Sequence, residues 1–111
     1  MITTESGLQY EVLVEGGGPK PSLNDEVTVH YKGTLTDGTV FDSSYDRGQP
    51  ATFPLNRVVK GWQEGIPLMP VGSKFKFTIP PELAYGSRAR PGIPADSILI
   101  FEVELIDIAG R

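Results

Sequence analysis

Alternation of apolar and polar residues, broken by glycine and proline, predicts most of the elements of this chain. The run Leu8-Gln9-Tyr10-Glu11-Val12-Leu13-Val14 reads as a first strand, ended by Gly16-Gly17-Gly18-Pro19. Val27, Val29 and Tyr31 alternate with Thr28, His30 and Lys32, the pattern of a half-buried strand. Asp37-Gly38 predicts a turn that returns the chain into Thr39-Val40-Phe41. Phe75, Phe77 and Ile79 alternate with Lys74, Lys76 and Thr78 in a further strand. The last and strongest run is Ile98 to Ile108. It puts Leu99, Phe101, Val103 and Leu105 on one face, and Glu102, Glu104 and Asp107 mark its wetter side. One helix is credible, because Val58, Trp62 and Ile66 recur at helical spacing and Gly65 with Pro67 ends the run. So short a helix is unstable alone and must lie against the sheet. The reading is an α+β domain, a twisted antiparallel sheet wrapped around one short helix.

Composition narrows the function classes. At 111 residues the chain is a single domain, with residues 1–6 expected as a flexible N-terminal segment. A net charge of −4, with ten scattered Lys and Arg, argues against nucleic acid, which calls for a basic stripe. No apolar run approaches the ~18 residues that span a membrane. The first residues lack the basic and apolar regions of a signal peptide, so the expectation is a cytoplasmic location, with the chain a monomer as given. A periplasmic or surface location applies if the domain was trimmed from a longer precursor. With no cysteine, disulfides and thiolate chemistry are excluded. The carboxylates show no ligand spacing, and no metal or cofactor is expected.

The most informative stretch is the Gly/Pro-rich loop from Ala84 to Pro94, which carries the lone Tyr85. It lies in roughly 18 residues between the strand ending near Ile79 and the one starting near Ile98, a length typical of functional loops. With Phe41, Val58, Val59, Trp62 and Phe101 it suggests an apolar pocket under a flap, suited to a small, apolar, carbonyl-bearing ligand. Other candidates read as structural. Gly16-Gly17-Gly18-Pro19 lacks the Gly-Lys-Ser/Thr that a phosphate loop requires. His30, Asp42 and Ser43-Ser44 lack a glycine elbow, and His30 points away from the Tyr31 face, so nucleophilic catalysis is set aside. Asp42 and Arg47 are either a solvated surface pair or a rim carboxylate held by a guanidinium. Trp62 is either core or pocket floor, its ring face left open by Gly61 and Gly65.

Several segments in register resemble one known family. They are Val29-His30-Tyr31-Lys32-Gly33, Asp37 through Ser44, Val58-Val59-Lys60-Gly61-Trp62-Gln63-Glu64-Gly65, Ala84-Tyr85-Gly86 and Pro94 through Leu105. This pattern, from about Gly7 to Ile108, is similar to the FKBP-type peptidyl-prolyl cis-trans isomerases, the macrolide-binding immunophilins. Ser6-Gly7-Leu8-Gln9-Tyr10 and Pro50-Ala51-Thr52-Phe53 further resemble the bacterial branch that includes the macrophage infectivity potentiators.

The resemblance implies a pocket lined by Tyr31, Phe41, Asp42, Arg47, Phe53, Val58, Val59, Trp62, Tyr85, Ile93 and Phe101. Val58 and Val59 would sit just before the helix. Trp62 would be the floor, Phe41 and Phe101 the walls, and the Tyr85 hydroxyl and Val59 N–H the donors to ligand carbonyls. Asp42 would sit at the rim against Tyr31 and Arg47. Three departures from the macrolide-binding members bear on ligand preference: Ala51 for a phenylalanine, Arg90 for a histidine, and shorter segments near Asn56-Arg57 and in the flap. The implied activity is isomerisation of Xaa-Pro bonds in peptides and folding proteins, with macrolides such as tacrolimus and rapamycin as inhibitors. A non-catalytic prolyl-recognition module and a holdase chaperone are the rival classes.

Overall fold

The computed structural model describes residues 1–109. Seven strands form one antiparallel sheet: β1 (Ile2–Thr3), β2 (Gln9–Val14), β3 (Glu26–Thr34), β4 (Val40–Ser43), β5 (Ala51–Pro54), β6 (Lys74–Ile79) and β7 (Leu99–Ile108). Their order is β1-β2-β6-β7-β3-β4, with β5 also on β3. The long β3 therefore pairs along one side with β7 and divides its other side between β5 and β4.

The alternation works as the side-chain period of two requires. Val27, Val29 and Tyr31 of β3, Phe75, Phe77 and Ile79 of β6, and Leu99, Phe101, Val103 and Leu105 of β7 are all buried. On the wetter side of β7, Glu102 and Glu104 follow from the alternation, whereas Asp107 has a specific cause. Thr28 pairs with Asp107 and Val29 with Leu105, so the register shifts by one residue at Ile106. That bulge resets the alternation, leaving Asp107 exposed and returning Ile108 to the core.

Among the described residues two helices, α1 (Ser44–Arg47) and α2 (Lys60–Gly65), and three 3-10 turns accompany the sheet. The expected helix is α2. Val58 and Val59 precede it, Val59 is its N-cap, and Ile66 continues it as a 3-10 turn through Leu68. Its stability comes from packing, since Gly61, Trp62, Gly65 and Ile66 are buried. The two glycines serve a different purpose from the one expected. A Cβ on Gly61 would lie 2.7 Å from Ile79 Cγ2, and one on Gly65 would lie 2.4 Å from Phe77 Cε1. They let the helix backbone touch β6 rather than freeing the Trp62 ring.

Near the N-terminus, Ile2 and Thr3 pair with Tyr10 and Gln9, and the Ser6 hydroxyl donates to Glu64. The helix α1 and the strand β5 are additional to the pattern reading. Four residues are too few for either a helical or an alternating period to register. The Gly16–Pro19 segment is a plain loop, tied by Gly16 N–H to Ser73 Oγ at 2.8 Å and by Gly18 N–H to the Val71 carbonyl at 3.1 Å.

Candidate active site

Between α2 and the β3–β4 end of the sheet the side chains leave a cavity of about 460 Å³. Its floor is Trp62, which is 4% exposed. Three rings meet the indole nearly perpendicular to it: Phe101 at 5.1 Å, Tyr31 at 5.3 Å and Phe53 at 5.7 Å between centroids. Phe41 stands edge-on to Phe101 at 5.5 Å. Perpendicular contacts place a positive ring edge on a negative ring face, so the cage holds its shape without covalent ties. The Trp62 Nε1–H is buried and has no partner among the described residues.

The backbone explains how these rings converge. Tyr31 and Gly33 are alternate residues of β3, so they face the same side, and Gly33 pairs with both Phe101 of β7 and Asp42 of β4. A Cβ on Gly33 would lie 2.6 Å from Phe41 Cζ and 2.7 Å from Phe101 Cε1. Only hydrogen at that position lets the two rings close over the strand. On the other wall, Gln63 Nε2 donates to the Val58 carbonyl at 2.7 Å and fixes the residues that lead into α2. No described hydrogen bond uses the Val59 N–H.

At the rim, three groups form a closed network. The Tyr31 hydroxyl donates to Asp42 Oδ2 at 2.6 Å, Arg47 Nη1 to Asp42 Oδ1 at 2.6 Å, and Arg47 Nη2 to the Tyr31 hydroxyl oxygen at 3.0 Å. Burial, and then the neighbouring Asp42 carboxylate, push the Tyr31 phenol up. Burial also pushes the Asp42 carboxyl up. The hydrogen bonds from Tyr31 and Arg47 outweigh it and hold the carboxyl below its ordinary value. At neutral pH the phenol is therefore a neutral donor and the carboxyl an anion, and neither is poised to exchange protons.

The flap is a tied loop. Its neck closes through Asp96 N–H to the Gly86 carbonyl, and its tip through reciprocal bonds between Arg90 and Ile93, all at 2.8 Å. Ile93 is 6% exposed and anchors the tip in the core. Tyr85 lines the cavity, with the Arg90 guanidinium 4.9 Å from its ring centroid.

Of the residues expected at the site, Tyr31, Phe41, Asp42, Phe53, Val58, Val59, Trp62, Tyr85, Ile93 and Phe101 all line this cavity. Arg47 does not. It sits on α1 behind Asp42 and acts on the rim through its hydrogen bonds to the Asp42 carboxylate and the Tyr31 hydroxyl. Arg57, Arg90 and Pro91 line the cavity unforeseen, although Arg57 adjoins Val58 and Arg90 lies within the flap motif. His30 and Ser44 also meet, Nδ1 to Oγ at 2.8 Å, on the sheet face away from the pocket. The Ser44 hydroxyl is wholly buried and accepts the Tyr31 N–H at 2.7 Å, so it tethers α1 to β3 and is no nucleophile.

Comparison with known proteins shows what the chain is similar to. The family model of the FKBP-type peptidyl-prolyl cis-trans isomerases matches residues 17–106. An FKBP-type isomerase of Aeromonas hydrophila, FkpA, is 63% identical over 96% of this chain and 40% of its own length. The peptidyl-prolyl cis-trans isomerase Mip of Coxiella burnetii is 56% identical over 96% of this chain and 46% of its own. The crystal structure of FkpA from Escherichia coli superposes with a TM-score of 0.93 at 50% identity, covering 96% of this chain and 50% of that one. The chain thus spans about half the length of these relatives or less. Its first residues consequently carry no argument about location, and the cytoplasmic expectation is not retained. No helix among the described residues is long and apolar enough to cross a membrane. With the family model covering most of the chain and two relatives above half identity, the chain belongs to the FKBP-type peptidyl-prolyl cis-trans isomerase family.

Proposed function

We propose that this pocket accelerates rotation about Xaa-Pro amide bonds in peptides and unfolded proteins. The observation that carries the reading is the apolar ring cage over Trp62, open at a rim where two donors, the Tyr85 hydroxyl and the Val59 N–H, are uncommitted among the described hydrogen bonds. The reaction breaks no bond. Its barrier of ~18–20 kcal/mol comes from the double-bond character of the C–N linkage.

The planar amide is more polar than the twisted one. Replacing water by aromatic walls therefore raises the ground state relative to the transition state. Walls that fit a twisted prolyl better than a planar one add to the effect. Each tenfold of rate requires about 1.4 kcal/mol of such differential stabilisation. In this mechanism Trp62, Phe41 and Phe101 form the box, and Phe53, Val58 and Ile93 complete its walls. Tyr85 and Val59 hold the flanking carbonyls. Asp42, fixed by Tyr31 and Arg47, orients the rim electrostatically, and general acid–base chemistry is not required.

Macrolides that present a prolyl-like ring between carbonyls suit the same box, and inhibition by tacrolimus belongs to this proposal. Ala51, the departure nearest that question, lies outside the cavity lining. The test is isomerisation of an Ala-Leu-Pro-Phe peptide by NMR exchange, with and without tacrolimus. Trp62→Leu and Tyr85→Phe should each lower kcat/KM, by about tenfold or more for Trp62→Leu. Peptide binding without any acceleration would replace the isomerase reading by a recognition module.

A further inference from the structure

The cavity is apolar in its depth but strongly biased in charge at its mouth. Asp42, Arg57 and Arg90 are the charged residues that line it, and Arg47 stands directly behind Asp42. Among the described residues, three cations and one anion thus stand at the opening, in a chain whose net charge is −4. Arg47 already neutralises the anion at 2.6 Å. Arg57 and Arg90 are exposed, and among the described residues neither makes an ion pair with a carboxylate.

The backbone of both residues is placed by the fold. Arg57 ends the 3-10 turn Leu55–Arg57, one residue before Val58, while Arg90 projects from the bonded tip of the flap and covers the Tyr85 ring. They come from separate segments and meet the same opening. Low-dielectric aromatic walls beneath them concentrate their field at the mouth, where a bound chain must enter and leave.

We propose that Arg57 and Arg90 make this pocket select prolyl bonds whose flanking residues carry an acidic side chain. The proposal rests on the isomerase reading of the same pocket and adds a substrate class to it. The residue next to proline meets apolar walls, whereas residues one step further out lie at the cationic rim. An acidic side chain there is attracted by both arginines, and a basic one is repelled. Asp42 does not offset this, because Arg47 holds it.

The experiment uses capped peptides of the form Xaa-Leu-Pro-Phe-Yaa, with Glu, Gln or Lys placed at Xaa or at Yaa and the other position Gln. Capping removes the terminal carboxylate, so any acid preference belongs to the side chain. Isomerisation is followed by NMR exchange at two ionic strengths. At about 20 mM, kcat/KM for Glu should exceed that for Lys by about threefold to tenfold at one position or both. At about 0.5 M salt, where screening acts within a few ångströms, the ratio should fall below about twofold. Arg57→Gln with Arg90→Gln should collapse the ratio at low salt, and Arg57→Lys with Arg90→Lys should restore it. The wild-type salt response stands independently of how well either variant folds. Equal turnover of the three peptides at low salt overturns the preference and leaves the isomerase reading standing. A preference that survives both salt and the double Gln variant overturns the assignment to these arginines. No turnover of any peptide overturns the isomerase reading and this proposal together.

Discussion

Gly65→Ala tests the packing that presents Trp62 to the pocket. Helix propensity alone makes this change favourable, since alanine in a helix interior is about 1 kcal/mol better than glycine. The backbone at Gly65 is ordinary, with φ −83° and ψ −44°, so alanine meets no conformational penalty there. The tertiary contact reverses the sign. The added Cβ would lie 2.4 Å from Phe77 Cε1 and 2.9 Å from Cζ, where ordinary contact is 3.4–4 Å. To relieve this, the helix or the ring must move by about 1 Å, and dispersion contacts on both sides are lost. Phe77 is fully buried and packed against Tyr10 and Phe75, so the ring has nowhere to go. Overpacking of this kind costs about 1–3 kcal/mol, and so severe an overlap belongs at the upper end. Subtracting the propensity gain leaves a net loss of about 2 kcal/mol. In urea, with a slope of about 1–3 kcal/mol per molar, the midpoint should fall by about 1 M. Placing Gly65→Ala on a Phe77→Leu background should recover about 1 kcal/mol of that loss, because the ring edge is gone. A midpoint equal to or above wild type for Gly65→Ala would refute the close approach of α2 to β6.

Two more changes probe the site itself. Gly33→Ala would drive a methyl into Phe41 and Phe101, displacing one ring into the cavity. Its kcat/KM in the NMR exchange assay should drop about tenfold or more, with a stability loss of about 1–3 kcal/mol in urea. Tyr31→Phe removes one of the two side-chain donors described at Asp42. The Asp42 carboxyl, followed by its carbon chemical shift, should then titrate at higher pH, closer to the ordinary ~3.9. Because Asp42 binds its proton more weakly folded than unfolded, its stabilising contribution is complete above about pH 4 and disappears as pH falls through its lower native value. The acid limb of the stability curve should therefore be shallower in Tyr31→Phe, and an unchanged carboxyl titration would show that the hydroxyl does not support the anion.

Long runs with a single period were legible from the residues. β3, β6 and β7 bury one face each, and alternation over six or more residues records which face it is. α2 was legible for a different reason, because Val58, Trp62 and Ile66 share a helical spacing, although the helix itself starts only at Lys60 and runs past Gly65 into a 3-10 turn that contains Pro67. The pocket aromatics were legible only in part by physics. Phe41, upstream of the flap, and Phe101, downstream of it, were grouped with Tyr85 as apolar rings, whereas Tyr31 and Phe53 entered with the family resemblance. The short elements left no trace, since β5 and α1 have four residues each and no recurring period.

By itself, the sequence determined the class of the fold, the faces of its long strands, its lack of thiol chemistry and the set of aromatic residues available to line a cavity. The tertiary structure decided what those residues do. Gly61 and Gly65, which by propensity only weaken a helix, set the depth at which α2 docks on β6. Arg47, which the family resemblance implied as a lining residue, stands behind the rim carboxylate of Asp42, while Arg57 and Arg90 supply the charge at the mouth. The reason is geometric. A periodic pattern records which way a side chain points along its own strand or helix. The distance between two elements, and the partner a charge finds across them, depend on residues remote in sequence that only the folded chain brings together.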